Sequence, residues 1–186
     1  MLTARYREAL DHAFDLHRDQ RRKGSGTPYV AHLLGVSSIV LEHGGDEDEA
    51  IAALLHDAIE DQGGDRARRE IRARFGEPVV DIVEGCTDAD VQPKPPWRQR
   101  KEAYLAHLPR ASPSVLLVSC ADKLYNARTI LADLRRIGDE LWGRFRGGRD
   151  GTLWYYQALV EVFTRTGPPP LAAELARVVR EIGENA

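Results

Sequence analysis

Pro113-Ser114-Val115-Leu116-Leu117-Val118-Ser119-Cys120-Ala121-Asp122-Lys123-Leu124 is the stretch on which the fold class turns. Its β-branched, aliphatic start reads equally well as a buried strand. Length decides between the two. Apolar residues continue at helical spacing through Leu124, Ala127, Ile130 and Leu131 to Leu134, a run of about 20 residues where strands usually stop at 10. Pro113 also suits the first position of a helix. No other segment alternates strongly enough to read as a strand, so the expected class is all-α, a single-domain helical bundle.

Outward from this helix, the same rules place the remaining elements. Thr3 caps a first helix through Tyr6, Leu10, Ala13, Phe14 and His17. Thr27-Pro28 starts a second, with Thr as cap, that carries His32, Val36, Ile39 and Val40 and stops at Gly44-Gly45. Asp46 or Asp48 caps a third that runs to Gly63-Gly64. Short helices follow over 65–75 and 78–85, then a loop with three prolines over 87–96 and a helix over 97–108. Beyond the long helix, 144–151 reads as a Gly/Arg loop, and Thr152 caps a helix over 153–164. Pro168-Pro169-Pro170 precedes a terminal amphipathic helix over about 171–182. One domain is expected over 1–186, with its core over about 5–165.

The composition, 42% hydrophobic and 30% charged, fits a folded globular chain. A net charge of -3 implies no general affinity for nucleic acid. No apolar run approaches the roughly 20 residues of a membrane span, and the N-terminus has no apolar signal region. Cys86 and Cys120, both amid apolar residues, read as reduced buried thiols, which suits a cytoplasmic protein. The cations cluster locally, at Arg18-Asp19-Gln20-Arg21-Arg22-Lys23 and at Arg144, Arg146 and Arg149. That distribution suits one anionic small molecule better than a polyanion. The sequence leaves self-association into a homo-oligomer open.

The third helix holds Leu54-Leu55-His56-Asp57-Ala58-Ile59-Glu60-Asp61. Read as one continuous helix, it puts His56, Asp57, Glu60 and Asp61 within an arc of roughly 140°. Ile51, Leu54, Leu55, Ala58 and Ile59 lie opposite. Crowded carboxylates repel, so a cation would stabilise this face; a solvated polar face is the alternative. Two further candidate ligands lie elsewhere, His32 upstream and Asp122 downstream. Two imidazoles and two carboxylates suit Mn²⁺, Fe²⁺, Zn²⁺ or Mg²⁺. A divalent ion there would lower the pKa of a water and draw charge from a phosphate oxygen. Glu60 and Asp61, one turn on, could handle protons. No second cluster is evident, so one metal is expected.

His…His-Asp…Asp resembles the signature of the HD metal-dependent phosphohydrolases. Arg22-Lys23 with Gly26-Thr27-Pro28-Tyr29 and His32, Ala53 through Asp61, Phe75-Gly76, and Ala121-Asp122-Lys123-Leu124-Tyr125-Asn126-Ala127-Arg128-Thr129 resemble the hydrolase domain of RelA/SpoT proteins. As it stands, the chain is similar to the small alarmone hydrolases over about residues 5–165. The resemblance implies an HD-type helical bundle that removes the 3′-diphosphate of guanosine tetra- and pentaphosphate, usually with Mn²⁺. It implies that His32, His56, Asp57 and Asp122 hold the metal and that Glu60 and Asp61 are the catalytic acidic pair. Two other functions are weighed against it. One is phosphate removal from another nucleotide, such as NADPH or a nucleoside triphosphate. The other is nucleotide binding without catalysis, against which the intact Glu60-Asp61 speaks.

Substrate-side candidates follow from spacing and side-chain chemistry. Asp122, Asn126 and Thr129, at i, i+4 and i+7, share a helix face, and Asn126 offers a donor and an acceptor to a base or sugar edge. Arg22 can stack on a purine and Lys23 can pair with phosphate. Lys94 and Arg149, with Arg144 and Arg146, could close over a polyphosphate. For each cation the alternative is a solvated side chain.

Overall fold

A computed structural model gives the structure of residues 1–89 and 93–186. Among the described residues are α1 (Ala4–His17), α2 (Val30–Glu42), α3 (Glu47–Leu55), α4 (Ala58–Gln62), α5 (Asp65–Phe75) and α6 (Glu77–Cys86). They continue with α7 (Trp97–His107), α8 (Pro113–Ile137), α9 (Gly148–Thr166) and α10 (Pro169–Asn185). Leu108–Arg110 and Gly138–Arg144 form 3₁₀ turns. The only extended pairing among these residues is an isolated bridge between Arg21 and Pro28. The class is all-α, and no described helix is long and apolar enough to cross a membrane.

Helix α8 is the axis of the bundle. Its 25 residues span about 38 Å, and α2, α3, α6, α9 and α10 all pack on it. Every residue from Val115 to Asp122 is buried. A helix enclosed on all sides loses its polar stripe, which is why this segment resembles a buried strand in sequence. At its far end α10 covers it with Leu171, Leu175, Val178 and Ile182.

Local chemistry sets the ends of the helices. The Thr3 side chain accepts the Arg5 amide, and Ser112 does the same for Val115 at the head of α8. Asp46 and Glu49 form a reciprocal capping box at α3, with bonds of 2.9 and 2.8 Å. Three acidic residues in that first turn complement the helix dipole.

Two expected starts are wrong. Helix α2 begins at Val30 rather than at Thr27-Pro28, because residues 20–29 close on themselves. The Arg22 amide donates to Thr27 O at 2.8 Å and the Tyr29 amide to Gln20 O at 3.0 Å. Helix α9 begins at Gly148, so Thr152 is no cap. It lies inside the helix, its hydroxyl donating to Gly148 O at 2.6 Å, and Gly148-Arg149-Asp150-Gly151 is helix rather than loop. Of the expected loop over 87–96, residues 90–92 lie outside the described residues.

Helices α2 and α8 meet unusually closely at Gly35. A Cβ there would lie 2.5 Å from Tyr125 Cδ2 and nearer still to Cε2. Only a residue without a side chain lets Tyr125 pack flat against α2, and the Tyr125 ring then sits 5.0 Å from the ring of His32.

Candidate active site

The His-Asp motif does not lie on one continuous helix. Helix α3 ends at Leu55 and α4 begins at Ala58, with Asp57 at φ -96°, ψ -1° between them. Local bonding explains the break. His56 folds its ring back on its own helix, Nδ1 lying 2.9 Å from Ala53 O. That contact places the proton on Nδ1 and aims Nε2 away from α3. Gly63 and Gly64, at φ +146° and +49°, then end α4 after one turn.

The four candidate ligands converge from three parts of the fold. His32 comes from α2, His56 and Asp57 from the α3–α4 junction, and Asp122 from α8. The two Nε2 atoms are 3.3 Å apart. Asp57 Oδ2 lies 3.0 Å from His56 Nε2 and 3.5 Å from His32 Nε2. Asp122 Oδ1 approaches from the other side, 3.3 Å from His32 and 3.7 Å from His56. His32, His56 and Asp57 have ligand atoms all within 4.8 Å of one another. Ligands held at about 2.0–2.2 Å by one ion sit about 3–3.5 Å from each other, so His32, His56 and Asp57 fit a single divalent ion, and Asp122 stands beside the two imidazoles but outside that group of three.

The surroundings bias these groups toward ligation. Burial raises the pKa of Asp57, but the His56 charge and the bonds from the His32 and His56 rings together outweigh it and hold the carboxyl well below its usual value. Burial likewise raises Asp122, and the Lys123 ammonium, bonded to Oδ2 at 2.5 Å, together with the His32 and His56 rings brings it well below. His56 moves the other way. Burial lowers its pKa, and the Asp57 and Asp122 carboxylates more than reverse this. Tyr29 is pushed far up by burial and by Asp57. It therefore remains a donor, and its hydroxyl gives a 2.6 Å bond to Asp57 Oδ2.

Three of these candidate ligands, His32, Asp57 and Asp122, floor a cavity of about 650 Å³, with His56 buried behind them. Glu60 and Asp61 line it, Glu60 accepting from Lys94 at 2.7 Å and Asp61 from Gln20 at 2.8 Å. Arg22, Lys23, Lys94, Asn126 and Thr129 line it as well. Asn126 bridges Asp122 Oδ1 at 2.5 Å and the Arg22 guanidinium at 2.7 Å. Arg22 in turn sits over Tyr29 and Tyr125, about 6 Å from each ring centre. Arg149 is the exception. It lies outside the cavity, half-exposed, with its guanidinium 3.6 Å from neighbouring Asp150. Arg144 and Arg146 occupy the wall instead. Gly24, at φ +82°, lies directly against the Arg144 side chain, which pairs with Asp133 of α8 at 2.8 Å.

Sequence reasoning gave no site role to Tyr29, Lys123, Gln20, Arg100 or Lys101, all of which line the cavity. For Tyr29 a signal existed, since it stands three residues before His32 and so one turn away on the same side. Lys123 had none: adjacent residues on a helix do not normally face each other, yet its ammonium curls back to Asp122. Counted over the described lining, nine Lys and Arg face six Asp and Glu, in a chain whose net charge is -3.

An all-α bundle that turns two imidazoles and two carboxylates onto one point, beside an acidic pair, defines a divalent-metal protein of the HD type. The model of the HD domain family matches residues 9–153. Over 142 residues, 75% of this chain and 74% of the relative, the sequence is 42% identical to the guanosine-3′,5′-bis(diphosphate) 3′-pyrophosphohydrolase MESH1 of Xenopus tropicalis. The human MESH1 is also 42% identical over the same length. A solved structure, described as a metazoan ortholog of SpoT that hydrolyzes ppGpp, superposes with a TM-score of 0.83 at 28% identity, covering 98% of each chain. The chain belongs to the HD-domain family and, within it, to the group of MESH1-type pyrophosphohydrolases.

Proposed function

We propose that this chain hydrolyses the 3′-diphosphate of guanosine tetra- and pentaphosphate to pyrophosphate and GDP or GTP. One divalent ion serves it, Mn²⁺ foremost, held by His32, His56, Asp57 and Asp122. The observation that carries the reading is the convergence of these four side chains beneath a cavity whose cations outnumber its carboxylates. When bound, the ion supplies a water of lowered pKa and withdraws charge from the phosphate. In the overall change the bond between ribose O3′ and phosphorus breaks, water supplies the new oxygen on pyrophosphate, and O3′ gains a proton. Glu60 and Asp61 take the water's proton and return one to O3′. Lys23 and Lys94 offset the phosphate charge, Arg22 stacks on the base, and Asn126 and Thr129 read its edge or the ribose. Catalysis of this kind needs mainly positioning and charge neutralisation.

The partner on this reading is a small nucleotide, with no nucleic acid and no membrane. Residues 1–186 act as one unit, in line with a core cluster that draws from α1 through α10. A cytoplasmic location accords with two free cysteines. The test is incubation of the purified protein with Mn²⁺ and guanosine tetraphosphate, followed by phosphorus NMR, beside NADPH and nucleoside triphosphates. Equal amounts of GDP and pyrophosphate are expected. Orthophosphate from another nucleotide, with no pyrophosphate, would overturn the substrate.

A further inference from the structure

Asp61 stands on α4, a helix of five residues closed by two glycines. A single turn of helix does not hold its own geometry in water, so the direction of this carboxylate must be set from outside α4. Gln20, just beyond the end of α1, makes that contact. Its Nε2 donates to Asp61 Oδ2 at 2.8 Å. Its Oε1 receives two donors, Gln62 Nε2 at 2.6 Å and His17 Nδ1 at 2.6 Å. An amide whose oxygen is occupied by two donors has one orientation, and that orientation turns its NH₂ group to the carboxylate. The backbone of Gln20 is fixed as well, its amide on His17 O and its carbonyl on the Tyr29 amide, both at 3.0 Å.

His17 is 1% exposed, and it reaches the metal side too. Its ring stacks on Tyr29 at 5.3 Å and 18°, and Tyr29 holds Asp57. One buried imidazole therefore backs two arms, Gln20 to Asp61 and Tyr29 to Asp57.

We infer that Gln20, oriented by His17 and Gln62, is a positioning residue that sets the direction of the Asp61 carboxylate relative to Asp57. The inference rests on the role proposed for Asp61, so the experiment carries Asp61→Asn as its own arm. Gln20→Met keeps size and removes the bond. It should lower kcat on guanosine tetraphosphate by about 10- to 100-fold, the scale of a misplacement of about 1 Å. KM and Mn²⁺ affinity should stay within about twofold. Combined with Asp61→Asn, it should add no further loss, because the two act as one unit. Gln20→Glu preserves both acceptor bonds to His17 and Gln62 and changes only the atom that faces Asp61. Its negative charge should move the acid limb of the kcat profile to higher pH, a change that a merely structural role does not produce. This variant also decides the matter should Gln20→Met fold poorly.

Wild-type kcat in Gln20→Met beside an inactive Asp61→Asn overturns the positioning role alone. So does a loss confined to KM or to metal affinity, or an unmoved pH limb in Gln20→Glu. Full activity in Asp61→Asn removes the role of Asp61 itself.

Discussion

Gly35→Ala places one methyl group at the closest approach of α2 and α8. In an exposed helix this change stabilises, by about 1 kcal/mol. Here the new Cβ would fall 2.5 Å from Tyr125 Cδ2 and 3.0 Å from Cζ. Tyr125 is no loose end that can swing aside. Its ring meets His32 on one side and lies beneath the Arg22 guanidinium on the other. Overpacking of this kind costs about 1–3 kcal/mol, and so short an approach belongs at the upper end. The net is a destabilisation of about 2 kcal/mol, or about 4–8 °C in the melting temperature of a chain this size. Metal affinity should fall with it, because the displaced ring presses on a proposed ligand. Thermal and denaturant unfolding of the metal-free protein, with calorimetric titration of Mn²⁺, measures both. A variant as stable as the parent, binding Mn²⁺ equally well, would refute the close packing of α2 on α8 and the claim that it places His32.

Other perturbations bear on the ligands and the core. The raised pKa of His56 means that the metal-free site holds a proton which the ion must displace. Apparent Mn²⁺ affinity should rise with pH by up to about tenfold per unit and level off above that pKa. The same proton stabilises the metal-free fold below the unfolded value near 6.5, and this contribution is lost as pH rises through the folded value; melts across the pH range read it. Tyr29→Phe leaves Asp57 Oδ2 without its donor and should weaken Mn²⁺ binding by about 10- to 100-fold, measured by the same titration. Burial pushes the Cys120 thiol up to about 12. Iodoacetamide at pH 8 should therefore leave Cys120 unmodified in the folded protein and label it after denaturation, as mass spectrometry of the digests would record.

What the residues disclose before folding divides by range. The identity of α8 was legible because periodicity over its length outweighed a β-branched start. The candidate ligands could be singled out because each residue type carries its chemistry openly and the apolar neighbours place it inward. The break between α3 and α4 was not legible. His56 and Asp57 keep the apolar spacing intact across it, and the cause is a bond from the His56 ring to Ala53 O that no pattern displays. Gln20 stood out in no way within its basic run, since two of its partners, Asp61 and Gln62, lie on α4, some 40 positions away. The cations Arg144, Arg146 and Arg149 looked alike in sequence. Their fates separate only because α9 begins at Gly148 and carries Arg149 out on its solvent side.

The seat of Gly24 under Arg144 ties two distant stretches of the chain together. Any side chain at position 24 would run into a residue 120 places further along, which is itself anchored to Asp133. A side chain at position 24 therefore meets two obstacles, a left-handed backbone and a guanidinium that would have to swing off Asp133, so a change there is felt in the basic loop at the mouth of the cavity.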